Sequence, residues 1–185
     1  MQVKQRARST AAKLERKDSI LVAAEILLRQ KGYDAITMQT VAAEVGLAKG
    51  TLYLYFSSRE TLIFGVYERL FDKWIDRFVS RMSEETEVRE FCRDFYLYYT
   101  DDRLFLELTE FAVSWMESQL DRETFIKSKR ATASRVKKLA GIAYQRLGMS
   151  PTLAHKFIWG LLTVASGAIK ATMQNPVISQ DLPED

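Results

Sequence analysis

The segment 46-GLAKGTLYLYFSSRETL-62 places side chains that can donate hydrogen bonds beside two glycines. Lys49, Thr51, Tyr53 and Tyr55 lie within seven residues, beside two glycines. Ammonium and hydroxyl groups donate to phosphate or base oxygens, and glycine lets a backbone approach a partner closely. A segment this short cannot bury two tyrosine rings by itself. The rings therefore either pack on a neighbouring element or face a partner.

The same segment resembles a nucleotide-binding phosphate loop only superficially. That loop has four residues between its glycines and a lysine directly after the second glycine. Here three residues separate Gly46 from Gly50, and Lys49 comes before Gly50. The spacing excludes this kind of nucleotide site.

Helical periodicity predicts the elements that would position these residues. A short helix covers 37–45 with Thr37 as its N-cap, Gly46-Leu47 form a turn, and a second short helix covers 48–56. Two short helices joined by a glycine-containing turn are typical of a helix-turn-helix, whose second helix enters the DNA major groove.

The second short helix divides into two faces. Leu52 and Phe56 are spaced to pack on the protein core. Lys49 and Thr51 have no comparable core role, so we expect them to contact DNA. Tyr53 is open to either interpretation, as a packing residue or as a DNA contact.

Composition indicates an all-α protein with a substantial core. The chain has 185 residues, of which 47% are hydrophobic, with only 8 glycines and 3 prolines. Its single cysteine, Cys92, excludes an internal disulfide and a cysteine-based zinc site. The sequence has no clustered metal ligands and no nucleophile–base motif, so we expect no enzyme activity, no cofactor and no metal.

Nothing in the sequence predicts a targeting or membrane segment. The basic start lacks the apolar stretch of a signal peptide. The longest apolar run, 157–169, is flanked by Lys156 and Lys170 and is too short for a membrane span. We therefore expect a buried helix there and a cytoplasmic protein.

Charge is unevenly distributed along the chain. Residues 1–60 carry ten Lys and Arg against six Asp and Glu, whereas residues 61–185 carry seventeen against eighteen. The excess is densest in the first seventeen residues. Such a basic arm either meets nucleic-acid phosphates or is a solvated tail, and the sequence leaves both open.

The continuous pattern 32-GYDAITMQTVAAEVGLAKGTLYLYFSSRETL-62 resembles the DNA-binding signature of the tetracycline-repressor (TetR) family. That signature combines a G-[YF] pair, a threonine-capped short helix and a G-x-x-K-G-T-L-Y-x-Y-F-like run ending in K-E-x-L. The resemblance implies base contacts from Gln39, Lys49, Gly50, Thr51 and Tyr53. It implies phosphate contacts from Thr37, Tyr53, Tyr55 and Arg59.

Three positions depart from the family pattern. Ala48 stands where a helix-capping serine is frequent, and Leu54 stands where a longer polar or aromatic residue is frequent. Arg59 replaces the usual lysine and adds a bidentate option toward phosphate. The operator sequence therefore cannot be transferred from relatives.

Domain boundaries follow from the capping signals. Ser57 and Glu60 form a predicted capping box that begins a long helix. We expect an N-terminal arm and helix-turn-helix domain over 1–57, a helical ligand-binding and dimerisation domain over 58–176, and a disordered tail over 177–185.

The resemblance implies a small-molecule pocket and a homodimer in the second domain. Candidate ligand-binding residues form an aromatic-rich middle, Phe91, Phe95, Tyr96, Tyr99, Phe111 and Trp115, which is open to interpretation as plain core. Candidate dimerisation residues are Val136, Ala140, Phe157, Gly160, Leu161, Val164 and Ala168, and these helices are also open to packing only within the subunit.

The sequence thus favours a dimeric transcriptional regulator, a repressor released from a palindromic double-stranded DNA operator by an inducer of unknown identity. An alternative is a constitutive DNA-binding or architectural protein whose second domain only dimerises. A helical enzyme with a vestigial helix-turn-helix is the least supported hypothesis.

Overall fold

The computed structural model describes residues 2–82, 86–112 and 120–173, with the side chains in these ranges described from residue 11 to residue 171. This part of the chain contains helices and no strand, which confirms the predicted all-α class. The elements are α1 (Gln2–Lys31), a 3-10 turn (Tyr33–Ala35), α2 (Met38–Glu44), α3 (Lys49–Tyr53), α4 (Arg59–Arg81), α5 (Val88–Thr100), α6 (Arg103–Phe111), α7 (Arg122–Leu147) and α8 (Pro151–Met173). The tail predicted over 177–185 lies outside the described residues.

Two compact units divide inside α4, after Arg69. The sequence places this boundary earlier, in the loop before the helix. The first half of α4 buries Leu62, Ile63 and Val66 completely, and Gly65 lies close to Leu21 of α1. A capping signal in the sequence shows where a helix begins, but it does not show which hydrophobic core the helix packs in. One continuous helix therefore contributes to both units.

The turn between α2 and α3 is set by Gly46, whose φ is +67°. The Gly46 N–H donates to the Ala43 carbonyl (3.2 Å), and the Leu47 N–H donates to the Ala42 carbonyl (2.8 Å). This pair of bonds is a Schellman motif, which satisfies the last carbonyls of α2. Glycine adopts its left-handed backbone without the strain a side chain would add. The predicted helix-turn-helix geometry depends on this residue.

The cap of α4 differs from the sequence prediction. Ser58, not Ser57, closes the helix: its Oγ accepts from the Thr61 N–H (3.1 Å), and its own N–H donates to Thr61 Oγ1 (2.9 Å). Glu60 takes no part in this reciprocal pair. Thr61, at the third helical position, accepts the hydrogen bond from the N-cap N–H that was predicted for Glu60. The helix therefore begins one residue later than predicted.

Unit 2 contains the second half of α4 together with α5 to α8. α7 begins at Asp121, whose carboxylate accepts from the Thr124 N–H (2.9 Å) and hydroxyl (2.7 Å). Hydrogen bonds from Thr124 lower the pKa of Asp121. The helix ends at Gly148 with φ +62°, and α8 follows after Ser150.

Ion pairs join α4 to α7 within unit 2. Arg135 makes a bidentate contact with Asp72, at 2.7 Å from Nε and 2.9 Å from Nη2. Lys138 Nζ lies 2.7 Å from an Asp76 carboxylate oxygen. Bidentate geometry fixes orientation as well as charge, so these contacts hold α7 against one side of α4.

By length and composition alone, α8 is able to cross a membrane. The prediction that this segment is too short for a membrane span counted only the apolar run 157–169. That prediction was wrong, since the helix is continuous over Pro151–Met173. Only 28% of the most apolar stretch of this helix is buried. One such helix is weak evidence for a membrane span, because the core helix of a soluble protein can have the same length and apolar composition. Its buried stripe packs within unit 2 and consists of Ala154, Ile158, Leu162, Ala165 and Ile169.

Candidate nucleic-acid interface

The faces of α3 separate core residues from polar ones. Leu52 is fully buried and Phe56, just after the helix, is 4% exposed. Lys49 and Gly50 are exposed, and Tyr53 is 45% exposed. A helix of five residues has too little apolar area to hold itself in place. Leu52 and Phe56 therefore anchor α3, and the other face is left to a partner.

The hydroxyl-bearing residues of this region differ in accessibility. Thr51 and Tyr55 are half-buried, whereas Leu54 is 75% exposed. Tyr53 is nearly half exposed in this structure, which favours a contact residue over a packing residue. Leu54 has no packing role in the described structure that accounts for a leucine at this position.

The N-terminus of α3 lacks a side-chain cap. Ala48 has the extended dihedral angles of an N-cap (φ −67°, ψ 142°) and makes no side-chain hydrogen bond. Its carbonyl accepts from the Thr51 N–H at 2.9 Å. The departure noted in the sequence therefore removes one capping interaction from the exposed helix.

On α2, the two predicted contact residues are placed differently. The Thr37 hydroxyl accepts from the Thr40 N–H (3.0 Å), and Thr40 Oγ1 accepts from the Thr37 N–H (2.9 Å). Thr37 is thus engaged in a capping box. Gln39 is exposed and has no side-chain partner among the described residues, so its amide is available to a base edge.

Arg59 has a structural contact that the sequence does not reveal. Its Nη2 donates to the Tyr33 carbonyl (2.6 Å), and its guanidinium lies 4.1 Å from the centre of the Tyr33 ring. Its Nε is buried without a hydrogen-bond partner among the described residues. Burial raises the pKa of the Tyr33 phenol, partly offset by the Arg59 charge. Arg59 therefore ties the 3-10 turn to the start of α4.

The predicted ligand residues belong to a dense aromatic cluster. Phe91, Phe95 and Tyr99 are buried, and sequence reasoning missed the ring at their centre, Trp74. The Trp74 ring lies edge-on to Phe95 and Tyr99, at centroid distances of 5.0 and 5.1 Å. Phe105 also joins the cluster. Helical spacing identified the stripe on α5, but only tertiary packing shows which rings meet it.

The other predicted ligand residues lie elsewhere. Tyr96 is 51% exposed on α5, outside the buried stripe, and Phe111 is half-buried at the end of α6. Trp115 lies outside the described residues.

Two polar groups face the aromatic cluster. The Tyr99 hydroxyl lies 3.2 Å from Ser166 Oγ of α8. Burial raises the pKa of Tyr99, so the phenol stays neutral at physiological pH. The Trp74 indole N–H is buried and has no hydrogen-bond partner in the described structure. An unsatisfied buried donor is rare in native proteins, so this group is the most unusual feature of the cluster.

The predicted dimerisation residues divide by exposure. Val136 and Ala140 are buried inside unit 2, and Phe157 packs on the Phe91 ring at 5.6 Å. Gly160 and Val164 are exposed, Val164 at 70%. Leu161 and Ala168 are half-buried. The outer face of α8 is therefore the accessible part of the predicted set.

Residues 20–66 match the family described as "Bacterial regulatory proteins, tetR family", and residues 68–184 match "Tetracyclin repressor-like, C-terminal domain". The chain belongs to the TetR family. This confirms the resemblance found in the sequence. The first match covers α2 and α3 but begins only at Ile20, well inside α1.

Curated relatives match this TetR-family chain over short stretches. The fatty acid metabolism regulator protein of Bacillus subtilis (strain 168) is 27% identical over 71 residues, covering 38% of this chain and 37% of that protein. The HTH-type transcriptional repressor KstR of Rhodococcus jostii (strain RHA1) is 38% identical over 65 residues, covering 35% and 31%. The chain thus spans well under two thirds of the length of its curated relatives.

Solved TetR-family structures share the fold over most of the chain. The multidrug binding protein EbrR, complexed with imidazole, has a TM-score of 0.59 at 21% identity, covering 92% of this chain and 88% of that chain. The regulator FadR from Bacillus subtilis, in complex with stearoyl-CoA, has a TM-score of 0.54 at 19% identity, covering 86% and 90%. At these identities the likeness concerns the fold alone.

Proposed function

We propose that this protein is a cytoplasmic, homodimeric transcriptional repressor that leaves a palindromic DNA operator when a small-molecule inducer binds. The observation that carries the proposal is α3, an anchored short helix that keeps Lys49, Gly50 and Tyr53 exposed. Its context, a Schellman turn after a capped α2, is a helix-turn-helix within a family of bacterial regulatory proteins.

Each proposed DNA contact has a chemical rationale. Lys49 at the start of α3 reaches guanine or phosphate, and Thr51 bonds phosphate or touches a thymine methyl. Gln39 has the amide needed for a bidentate pair with adenine. Gly50 allows close backbone approach, and Tyr53 and Tyr55 donate to phosphate. Thr37 and Arg59 are proposed phosphate contacts as well. Both side chains already make hydrogen bonds within the protein, so each would have to bind a phosphate in addition to its present partner.

The proposed dimer uses the outer face of α8. Leu153, Gly160, Val164, Gly167 and Ala171 are exposed and fall on one stripe, opposite the buried stripe of the same helix. Small residues permit close approach of a second helix, and burial of Leu153 and Val164 would supply the apolar area. Two copies of α3 would then read two half-sites, which is why a palindromic operator is proposed.

The proposed inducer site is the aromatic cluster around Trp74. Support comes from its unpartnered indole N–H, which awaits an acceptor, and from the polar pair Tyr99 and Ser166. FadR, solved with stearoyl-CoA, and EbrR, named as a multidrug binding protein, are fold relatives with ligands of their own. Because α4 runs unbroken from Arg59 to Arg81, a ligand that shifts its second half would move its first half too. That movement is the proposed route to operator release.

A constitutive DNA-binding protein is the second candidate. The close ring-on-ring contacts of Trp74 with Phe95, Tyr99 and Phe105 favour it, since such contacts also describe an ordinary packed core. Under this alternative no ligand changes DNA affinity.

DNA recognition is tested by selecting bound duplexes from a random pool and measuring affinity for the selected site. Lys49→Gln should weaken binding by about 5- to 150-fold if it contacts guanine, corresponding to about 1–3 kcal/mol. The matched control is Arg89→Gln, an exposed arginine of α5 without an ion pair in the described structure, which should bind as the wild type does. Equal affinities for Lys49→Gln and wild type would contradict the proposed interface.

The inducer is tested by measuring operator affinity with and without stearoyl-CoA as the first probe. A coupling of about 1–3 kcal/mol, or 5- to 150-fold in affinity, is typical of a two-site switch. A panel of apolar aromatic compounds follows if the acyl-CoA has no effect. Ligands that bind, as seen by tryptophan fluorescence, yet leave operator affinity unchanged would favour the constitutive alternative.

The dimer is tested by sedimentation of Val164→Glu. A charge on the proposed stripe should shift the protein toward monomer, because an unpaired charge would be buried on association. Thr152→Glu, an exposed position on the same helix but off the stripe, serves as the control. If Val164→Glu sediments like wild type, the interface lies elsewhere.

A further inference from the structure

Helix α1 contains a stretch, residues 11–19, that is not buried in the core of unit 1. The helix begins at Gln2, and Ile20 is both the first buried residue among its described side chains and the start of the family match. Residues 11–19 are exposed on every side, including Leu14 at 62%. The described side chains before Ile20 therefore add nothing to the core, and core packing does not explain why this segment is present.

Charge on the exposed segment is sorted by face. A helix turns about 100° per residue, so Lys13, Arg16 and Lys17 lie within one third of its circumference. Glu15 and Asp18 fall on the opposite side. The basic face is therefore continuous rather than interleaved with acids. In the sequence, Lys4, Arg6 and Arg8 add further positive charge to the same helix.

Two contacts fix how this segment is oriented within unit 1. The Lys17 ammonium lies 5.4 Å from the centre of the Phe56 ring, directly after α3. On the opposite face, Asp18 pairs with Arg69 of α4. The basic face is thus turned toward the side of α1 where the helix-turn-helix ends.

A solvated salt-bridge face does not account for the pattern. Neither Lys13 nor Arg16 makes an ion pair or hydrogen bond within the described part of the chain. A helix that is polar all round needs either its own charge pairs or an external partner. Lys13, Arg16 and Lys17 have no acidic partner among the described residues, and Lys17 lies beside Phe56, directly after α3. Such a group of cations is suited to bind a polyanion.

We propose that the exposed segment 11–19 of α1 is a second DNA-binding element, in which Lys13 and Arg16 contact backbone phosphates outside the bases read by α3. This proposal rests on the DNA-binding function proposed above. Phosphate contacts position a protein without reading sequence. The element therefore adds affinity and salt dependence but no base preference.

The test compares Lys13→Gln/Arg16→Gln with wild type on the selected operator and on a random duplex of equal length. Each lost phosphate contact should lower the slope of log affinity against log salt by about 0.9. Across a fourfold rise in salt, wild type should then lose roughly 3.5-fold more affinity per contact than the variant. The ratio of operator to random-duplex affinity should stay unchanged. Glutamine is a good helix former, and circular dichroism checks that α1 is intact.

Arg89→Gln/Arg122→Gln is the charge-matched control, because it removes two exposed cations from unit 2. It should keep the wild-type salt slope. Equal slopes for wild type and Lys13→Gln/Arg16→Gln would overturn the proposal, as would the same decrease in both double variants, which would indicate net charge alone. Lys49→Gln distinguishes failure of the α3 interface from failure of the second element. If Lys49→Gln weakens operator binding while Lys13→Gln/Arg16→Gln does not, α3 binds DNA and the second element does not.

Discussion

Replacing Ala48 with serine should stabilise unit 1 by about 1 kcal/mol. Ala48 already has the extended dihedral angles of an N-cap, so the new hydroxyl needs no backbone movement. The position is exposed, so the extra oxygen meets no steric conflict. The first N–H groups of a helix lack an acceptor in the preceding turn. The Thr51 N–H already donates to the Ala48 carbonyl, so a serine Oγ would accept from the Gly50 N–H. One kcal/mol corresponds to a roughly fivefold change in the folding equilibrium constant.

Urea unfolding followed by circular dichroism measures this gain, and amide exchange at Leu52 reports whether it is localised in α3. Ala48→Val is the control, because it changes the side chain without adding an acceptor. Serine should exceed both alanine and valine in free energy of unfolding. If Ala48→Ser is no more stable than Ala48→Val, α3 is not limited by its missing cap and the assignment of Ala48 as the cap position is wrong.

Three further outcomes follow from single contacts. Trp74→Phe should lower the free energy of unfolding in urea by less than about 1 kcal/mol, because removing the unsatisfied N–H offsets the lost ring volume. Trp74→Ala should lower it by about 3–5 kcal/mol. A large loss for Trp74→Phe would show that the indole N–H has a hydrogen-bond partner. Asp121→Asn keeps an acceptor but removes the charge, so wild type should be the more stable near neutral pH. That difference should shrink as pH falls below the ordinary Asp121 value of 3.8, through the lowered folded-state pKa; a pH-independent difference would contradict the titration. Arg59→Lys should lose about 1 kcal/mol by breaking its ring and carbonyl contacts with Tyr33, also measured in urea; unchanged stability would show that Arg59 does not hold the 3-10 turn.

Local signals explain why the helix-turn-helix was predictable. Thr37, Gly46 and the Leu52–Phe56 spacing each act within a few residues, through a cap, a left-handed turn and one helical face. Such interactions depend on the sequence around them and little else. The TetR family followed from the resemblance of residues 32–62 to its DNA-binding signature, and the all-α class followed from composition and helical periodicity.

Even local reasoning has a limit where two neighbours have similar chemistry. Ser57 and Ser58 are both competent caps, and the choice between them depends on the reciprocal acceptor. Glu60 suited the first and Thr61 suited the second. The sequence offered both pairs, and only the path of the chain from Phe56 into α4 selects one.

The sequence alone determined the identity of the short helices, the exposed polar face of α3 and the family, because these depend on contacts between near neighbours. Tertiary structure alone decided that Arg59 binds Tyr33, that Trp74 is the centre of the aromatic cluster, and that half of α4 belongs to unit 1. Those facts require residues far apart in sequence to meet. Periodicity shows that a side chain faces a core, and packing alone shows which side chains it meets there.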